Sequence, residues 1–159
     1  MIYSTATVPV NKVGQLPLTR EQAWQGLVLK ARDARLFLPP GICTKCDVLV
    51  EGKDYIIREA TILGEDISEI VTFESGSKVS FHQFRSPREG VIVNEIKQDP
   101  DGSLSLRFYC LLGLRNAEPG GPEEQKEQAM PNSEDLGYRG ALLSTLARTR
   151  ALVAEGKIG

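Results

Sequence analysis

The stretch 103–112, with the sequence S-L-S-L-R-F-Y-C-L-L, alternates polar and apolar residues more regularly than any other part of this chain of 159 residues. Successive side chains of a β-strand point to opposite faces of a sheet, so the alternation predicts a strand with one apolar face. We expect that face to lie against the core. It consists of Leu104, Leu106, Phe108, Cys110 and Leu112, whereas Ser105, Arg107 and Tyr109 lie on the other face.

Five other strand-like runs precede this stretch, and short segments rich in turn-forming residues separate them. Connections this short cannot carry the crossovers that parallel strands need, so the runs predict an antiparallel meander. An alternating run at 3–11 adds a seventh strand, which we expect at one edge. The five runs lie at about 42–50, 54–63, 67–74, 78–84 and 90–98.

Helical patterns flank the meander. Thr19 and Gln22 have the spacing of a capping box, which predicts a helix at about 19–32, and a further helical turn is expected around Leu36. A segment at about 113–132, rich in Gly, Pro and Glu, predicts a loop or lid in which Pro122 favours a short helical stretch. Leucines at helical intervals then predict a long helix at about 133–155. A single α+β domain over 1–159 follows, in which the last helix covers one face of the sheet.

Composition argues against several classes of partner. The net charge is −2 and the charged residues are interleaved, which leaves no basic stripe for a nucleic acid. No window approaches the roughly 20 apolar residues of a membrane span, and the first ten residues lack the features of a secretion signal. Three cysteines are too few for a disulfide-stapled secreted domain, so we expect a cytoplasmic protein. We expect no cofactor.

Four segments carry a resemblance to a known family: L-T-R-E-Q-A-W-Q-G-L-V-L-K-A at 18–31, I-R-E at 57–59, V-S-F-H at 79–82 and L-R-F at 106–108. The chain resembles the AtaL-like family of the SRPBCC superfamily, which includes START proteins and the birch-pollen allergens. The resemblance implies an α+β helix-grip fold, in which a curved seven-stranded sheet wraps around the C-terminal helix and encloses a ligand cavity. It also implies a cytosolic setting and, for fungal members, a link to secondary-metabolite pathways. It carries over no catalytic residues.

The predicted third strand has a charge on each face. Arg58 lies on one face and Glu59 on the other, so either orientation takes one charge into the interior. The fourth strand repeats this conflict at Glu69. Because an unpaired buried charge is strongly destabilising, we expect a polar ligand, an internal ion pair, or a second subunit that covers the outer face. Such an ion pair would join Glu59 or Glu69 to Arg107 or Arg139.

His82 is the only histidine, so any histidine-based acid or base catalysis has to use it. Its strand has two possible orientations. One turns Val79 and Phe81 to the interior, and the other turns Ser80 and His82 to the interior. The imidazole is therefore either part of a cavity wall or an exposed structural group.

The cysteines do not predict a metal site. Cys43 and Cys46 have C-x-x-C spacing, but residues three apart on a regular strand point to opposite faces. We therefore interpret them as unrelated cysteines, at least one of them buried. A zinc site would need two more ligands, for which Cys110 and His82 are poorly spaced.

Two functions fit these patterns. The first is binding of a hydrophobic small molecule, such as a secondary metabolite or a lipid, in a cavity between the sheet and the C-terminal helix. The second is a cyclase, dehydratase or isomerase that acts on a biosynthetic intermediate in that cavity. The candidate catalytic residues are Arg58, Glu59 and His82. The predicted ligand contacts are Tyr55, Ile57, Phe73, Phe81, Leu106, Phe108, Tyr138 and Arg139.

Small residues near the start of the last helix, Gly137, Gly140 and Ala141, allow two interpretations. They leave room for a ligand beside Tyr138, or they pack closely against Trp24 or the sheet. Apolar residues on both faces of the central strands also favour a homodimer.

Overall fold

The computed structural model describes residues 1–131 and 137–159, which form a seven-stranded sheet and three α-helices. The helices are α1 (Arg20–Arg32), α2 (Pro122–Ala129) and α3 (Tyr138–Ala154), and a 3-10 turn at Ala34–Leu36 follows α1. The strands are β1 (Ile2–Pro9), β2 (Cys43–Glu51), β3 (Tyr55–Ile62), β4 (Glu65–Glu74), β5 (Lys78–Arg85), β6 (Arg88–Gln98) and β7 (Leu104–Leu114).

The sheet has the order β1-β7-β6-β5-β4-β3-β2, and every neighbouring pair is antiparallel. Six consecutive strands thus form the predicted meander, and β1 lies at the edge beside β7, which confirms the α+β fold expected from the sequence. The short connections between strands explain this order, since each strand pairs with the next along the chain.

The connection between β3 and β4 is tighter than the sequence predicts. Leu63 and Gly64 both have positive φ, 52° and 77°, and Ile62 pairs with Glu65 across them. Positive φ at both central positions is typical of a two-residue hairpin turn. β4 therefore begins at Glu65 and not at about 67, where the wider turn was expected. β6 likewise begins before 90, and β7 continues to Leu114.

The inner face of the sheet is the predicted apolar face of β7. Leu106, Phe108, Cys110 and Leu112 are all buried, and they belong to the main hydrophobic core. Helices α1 and α3 supply the other side of this core, chiefly through Trp24, Leu27, Leu142 and Leu146.

Helix α1 begins at the predicted capping box. The backbone N–H of Gln22 donates to Thr19 Oγ1 at 3.1 Å, and the backbone N–H of Thr19 donates to Gln22 Oε1 at 2.9 Å. These two bonds satisfy donors that a helix start leaves free. The buried residues of α1 are Ala23, Trp24, Gly26, Leu27 and Ala31.

Helix α3 packs against α1, against the edge strand β1 and against its neighbour β7. It is described from Tyr138, so the predicted start near 133 lies outside the described residues. The predicted loop at 113–132 contains α2, which begins at Pro122 as expected. The helices of the described chain lack the combination of length and apolar composition that a membrane crossing requires.

Helices α1 and α3 pack closely at Gly26. A Cβ atom at this position would overlap Oγ1 and Cγ2 of Thr149, which is itself buried on α3. Glycine in a helix interior costs about 1 kcal/mol relative to alanine, so close packing explains its presence here.

We predict that Gly26→Ala destabilises the protein by about 1–2 kcal/mol, because overpacking exceeds the gain in helix propensity. Urea unfolding followed by circular dichroism measures the change. In the double variant Gly26→Ala/Thr149→Ala, the decrease in the free energy of unfolding should be smaller than the sum of the decreases in the two single variants. Gln25→Ala serves as the control. Equal or greater stability of Gly26→Ala would show that the helices are not packed in this way.

Candidate functional site

A row of polar side chains crosses the inner face of the sheet. Arg58 on β3 pairs with Glu69 on β4, and Glu69 pairs with Gln83 on β5. All three face the interior, with exposed fractions of 4%, 3% and 8%. We refer to Arg58, Glu69 and Gln83 as the polar row.

The polar row is joined by charged hydrogen bonds. Arg58 Nε donates to Glu69 Oε2 at 2.7 Å, and Gln83 Nε2 donates to Glu69 Oε1 at 3.2 Å. The Arg58 guanidinium also lies 4.9 Å from the centre of the Phe81 ring, within the range of a cation–π contact. The carboxylate of Glu69 thus has a partner on each oxygen.

Arg58 also connects the sheet to the end of α1. Its Nη1 donates to the carbonyl oxygens of Ala31 at 2.7 Å and Lys30 at 3.4 Å. The last carbonyl groups of a helix have no partner within the helix and carry partial negative charge, so a guanidinium stabilises them. The same nitrogen lies 3.7 Å from Cys46 Sγ.

Two buried amide oxygens lack a hydrogen-bond partner among the described residues. They are Gln83 Oε1 in the polar row and Asn94 Oδ1 on β6. Gln83 pairs with Gly90, four residues before Asn94 on β6, so the two amides are separated by about 13 Å along the strand direction. Phe81 and Ile92 form a cross-strand pair between them.

Lys30 lies at the contact between α1 and α3. Its Nζ donates to Thr145 Oγ1 at 3.1 Å, and the residue is half-buried. Burial lowers the pKa of Lys30 to about 8, and the positive charge of Arg58 contributes to the decrease. The lysine therefore stays mostly protonated at pH 7 and loses its proton as the pH rises above about 8.

An aromatic stack covers the β7 side of the interior. The rings of Phe108 and Tyr138 lie 3.6 Å apart between centres at an angle of 20°. Burial, with the neighbouring Cys110, raises the pKa of Tyr138 to about 12, and burial raises the pKa of the Cys110 thiol. Both groups therefore stay protonated at neutral pH.

The family of the chain follows from its sequence match. A family model described as acetylaranotin biosynthesis cluster protein L (AtaL) matches residues 4–156. The chain belongs to the AtaL family. A search of curated proteins finds no significant match.

Solved structures agree with the fold of this AtaL-family chain. The Zhui aromatase/cyclase from Streptomyces sp. R1128 is 16% identical, with a TM-score of 0.64, over 96% of this chain and 94% of its own. A START superfamily protein from Mycobacterium smegmatis is 14% identical, with a TM-score of 0.55, over 98% and 96%. The di-domain aromatase/cyclase StfQ of the steffimycin pathway is 10% identical, with a TM-score of 0.66, over 98% of this chain and 52% of its own. Identities this low show the fold alone, which is a helix-grip fold.

Some of the predicted site residues of this AtaL-family chain lie in the interior between the sheet and the helices. Arg58 lies in the polar row, and Phe81, Leu106 and Phe108 are buried in the core. Phe73 and Tyr138 are half-buried and pack against it, Phe73 in an edge contact with the Trp24 ring at 6.4 Å. Whether any of these residues contacts a ligand stays a prediction.

Other predicted site residues face outward. Glu59 contacts Lys45 Nζ at 3.3 Å, and His82 Nε2 lies 3.3 Å from Thr72 Oγ1 on the outer face. The alternation of the strands explains both placements, since β3 turns Arg58 inward and β5 turns Phe81 inward. By the same alternation Tyr55 and Ile57 lie on the outer face, and Arg139 is exposed on α3; the expectation that these three line the interior does not agree with the structure.

The predicted internal ion pair exists with a different partner. Glu69 is inside, as one alternative held, but it binds Arg58 and not Arg107 or Arg139. Arg107 pairs instead with Glu95, 3.7 Å away, on the outer face. The sequence did not predict a role for Lys30 or Asn94, and only the position of Asn94 directly after the apolar run 91–93 could have indicated a buried amide.

The placement of Cys43 and Cys46 on β2 also differs from the expectation. Cys43 pairs with Ile62 and Cys46 with Ala60, because a β-bulge lies between Cys43 and Lys45. The extra residue of a bulge breaks the alternation, so both cysteines face the interior and are buried. All three cysteines of the chain are free.

Two open pockets lie on the surface of the described residues. One, of about 330 Å³, lies beside the hairpin of β3 and β4, and the other, of about 240 Å³, lies next to the start of α2. Neither lies between the sheet and α3, where core side chains from α1 and α3 meet those of the sheet.

We predict that Arg58→Met destabilises the protein by about 3–5 kcal/mol, because it leaves the Glu69 carboxylate buried without its ion-pair partner. Urea unfolding at pH 7 measures the loss. The double variant Arg58→Met/Glu69→Leu should recover a large part of it, and the outward-facing control Glu59→Gln should stay within about 0.5 kcal/mol of the wild type. A loss for Arg58→Met as small as that of the control would show that the pair is solvated.

Proposed function

We propose that this AtaL-family chain binds a small, largely apolar molecule between the inner face of the sheet and α3. The observation that carries this proposal is the pair of buried amide oxygens, Gln83 Oε1 and Asn94 Oδ1, that have no partner among the described residues. They lie on either side of an apolar stretch formed by Phe81 and Ile92. A molecule with an apolar body and hydroxyl or N–H groups would match this arrangement.

The free energy of burial supports this interpretation. A buried polar atom without a hydrogen bond costs about 1–3 kcal/mol, and proteins contain few of them. Asn94 pairs with Val79 and Phe108 in the sheet, and neither side chain has a hydrogen-bonding group. A donor from a bound molecule would offset the cost of burying this amide.

The walls around these oxygens suit an apolar molecule. Phe81 and Phe108 are buried on the inner face, and Tyr138 stacks on Phe108 from α3. Aromatic rings present large apolar surfaces with little conformational freedom to lose, and they are common in small-molecule sites. Because side chains meet in this space, uptake requires the interior to expand.

Helix α2 can move at a lower cost than α1 or α3, both of which bury side chains. It buries none of its residues. Gln128 binds the edge of β1, accepting from the backbone N–H of Tyr3 at 2.8 Å and donating to its carbonyl oxygen at 2.7 Å. Glu127 accepts a hydrogen bond from Arg88 at 2.8 Å. Since these contacts are polar, α2 can leave the sheet edge without exposing a core, and we expect ligands to pass there.

The binding proposal predicts a preference for ligands with a hydrogen-bond donor. Wild-type protein should bind 2-naphthol about tenfold more tightly than 2-methoxynaphthalene, since one good hydrogen bond to a buried acceptor corresponds to about this factor. Asn94→Leu should reduce the preference without loss of stability. The double variant with Gln83→Leu should lose the preference, and it should also be less stable, because it removes a hydrogen bond from the buried carboxylate of Glu69. Fluorescence titration and native mass spectrometry measure binding.

The outward-facing variant His82→Leu is the matched control and should behave as the wild type. The proposal fails if folded wild-type protein takes up neither compound, or if the preference for 2-naphthol persists in the double variant of Asn94 and Gln83.

A second candidate function is cyclisation, dehydration or isomerisation of a biosynthetic intermediate. The observation that favours it is the set of ionisable groups in or next to the interior, namely the Arg58–Glu69 pair and the half-buried Lys30. Charged groups held in a buried site can stabilise the charge that develops on a carbonyl oxygen. Two structural neighbours that are named as aromatase/cyclases, Zhui and StfQ, agree with this candidate.

If the chain is such an enzyme, we predict that Arg58→Lys lowers turnover of candidate intermediates by about 100-fold, since loss of one preorganised donor has an effect of this size. Lysine keeps the positive charge opposite Glu69, which guards against unfolding. His82→Ala and Glu59→Ala should leave turnover within about twofold of the wild type, because both residues face outward. Liquid chromatography with mass detection measures the products. Equal rates in Arg58→Lys and the wild type would exclude Arg58 from the chemistry.

A cytoplasmic location and a homodimer stay predictions. The three free cysteines support a reducing compartment.

A further inference from the structure

Lys30 is a cation beside the interior whose charge nothing in the described chain balances. The only polar contact of its ammonium group among residues 1–131 and 137–159 is the hydroxyl of Thr145, which donates its own proton to the carbonyl oxygen of Ala141 at 2.8 Å. The hydroxyl oxygen of Thr145 therefore accepts a hydrogen bond from the lysine. Neither partner carries a negative charge.

The charged groups of the neighbouring elements are already paired. On the sheet side, Arg58 is neutralised by Glu69. Near the end of α1, Asp33 pairs with Arg35 at 2.8 Å, and Arg32 pairs with Glu51. The carbonyl groups at the end of α1, which could attract a lysine, accept hydrogen bonds from Arg58.

The remaining titratable group next to Arg58 is Cys46. Its thiol lies on β2 and donates to the carbonyl oxygen of Arg32 at 3.7 Å. Among the residues that the structure describes, the interior with its lining thus holds two cations, Lys30 and Arg58, and one anion, Glu69. Within that set, one positive charge remains uncompensated when Lys30 is protonated.

We propose that the molecule bound in the interior carries an acidic group, a carboxylate or a phenolate, and that Lys30 is the residue that binds its anion. This inference rests on the binding function proposed above and specifies the chemistry of its ligand. An anion next to Nζ would complete the charge balance and occupy the donors of the ammonium that Thr145 leaves free.

The protonation of Lys30 agrees with this role. Burial and the like charge of Arg58 lower its pKa to about 8, which is the expected result for a lysine without an anion. A bound anion favours the charged form, so it would raise the pKa again. Affinity for a carboxylate ligand, which is ionised throughout this range, should therefore be constant below about pH 7 and fall as the pH rises above about 8.

The test compares two probes of nearly equal shape, 2-naphthoate and its methyl ester, by fluorescence titration from pH 6 to pH 10. Wild-type protein should bind 2-naphthoate at least about tenfold more tightly than the ester at pH 7, and the advantage should fade above pH 8. Lys30→Met keeps the apolar stem and should bind both probes equally. Lys97→Met removes an exposed lysine and should behave as the wild type.

A stability measurement separates this role from a structural one. In the wild type the unfolded chain binds a proton more tightly at Lys30 than the folded chain does, so the protonated lysine opposes folding below about pH 8. Lys30→Met should thus raise the melting temperature at pH 7, and the increase should shrink toward pH 10. A lower melting temperature at pH 7 would show that Lys30 is a stabilising contact of α1 and α3 and would overturn the inference.

The remaining outcomes are distinct. Equal binding of the two probes by the wild type, or a preference for 2-naphthoate that persists in Lys30→Met, overturns the inference and leaves the proposed binding function intact. Binding of 2-naphthol without binding of 2-naphthoate also overturns the inference and leaves the proposed binding function intact. If 2-naphthol, 2-naphthoate and the methyl ester all fail to bind, the proposed function fails and this inference fails with it.

Discussion

The buried pair of Arg58 and Glu69 is the constraint on which the rest of this structure depends. It joins β3 to β4 on the inner face, and Arg58 also binds the last carbonyl groups of α1. A slip of one residue would turn every side chain of a strand to the opposite face. A slipped β3 would bury Glu59 near Glu69, and two buried carboxylates repel each other. The pair therefore holds the register of the sheet and the position of α1 together.

The interior combines a packed core with polar groups that the described chain leaves without partners. Leu106, Phe108 and Leu142 are well buried, and such packing alone would make a stable domain. The unpaired oxygens of Gln83 and Asn94 oppose that stability, and so does the uncompensated charge of Lys30. Groups that destabilise the fold and make no stabilising contact are typical of binding and catalytic sites, because function needs them. This conflict, more than any open cavity, directs the functional proposals to the inner face.

The fold could be predicted because its signals are local. The alternation at 103–112, the short turns and the capping box of Thr19 and Gln22 each involve residues close in sequence, and each agrees with the structure. The site was harder to predict because alternation gives two faces without saying which is inner. That ambiguity placed His82 and Tyr55 in the predicted site, although both face outward. A bulge in β2 likewise brought Cys43 and Cys46 to one face, which regular alternation forbids.

The sequence by itself determined the number and order of the elements, the apolar face of the last strand, and the resemblance to the AtaL family. Only the tertiary structure decided that Arg58 faces Glu69, that two amide oxygens are buried without a partner among the described residues, and that Lys30 lies between two helices. The physical reason is the range of the interactions. Capping, turns and periodicity act over a few residues, whereas the register of β3 against β4, and the packing of α1 on α3, bring together groups that are distant along the chain.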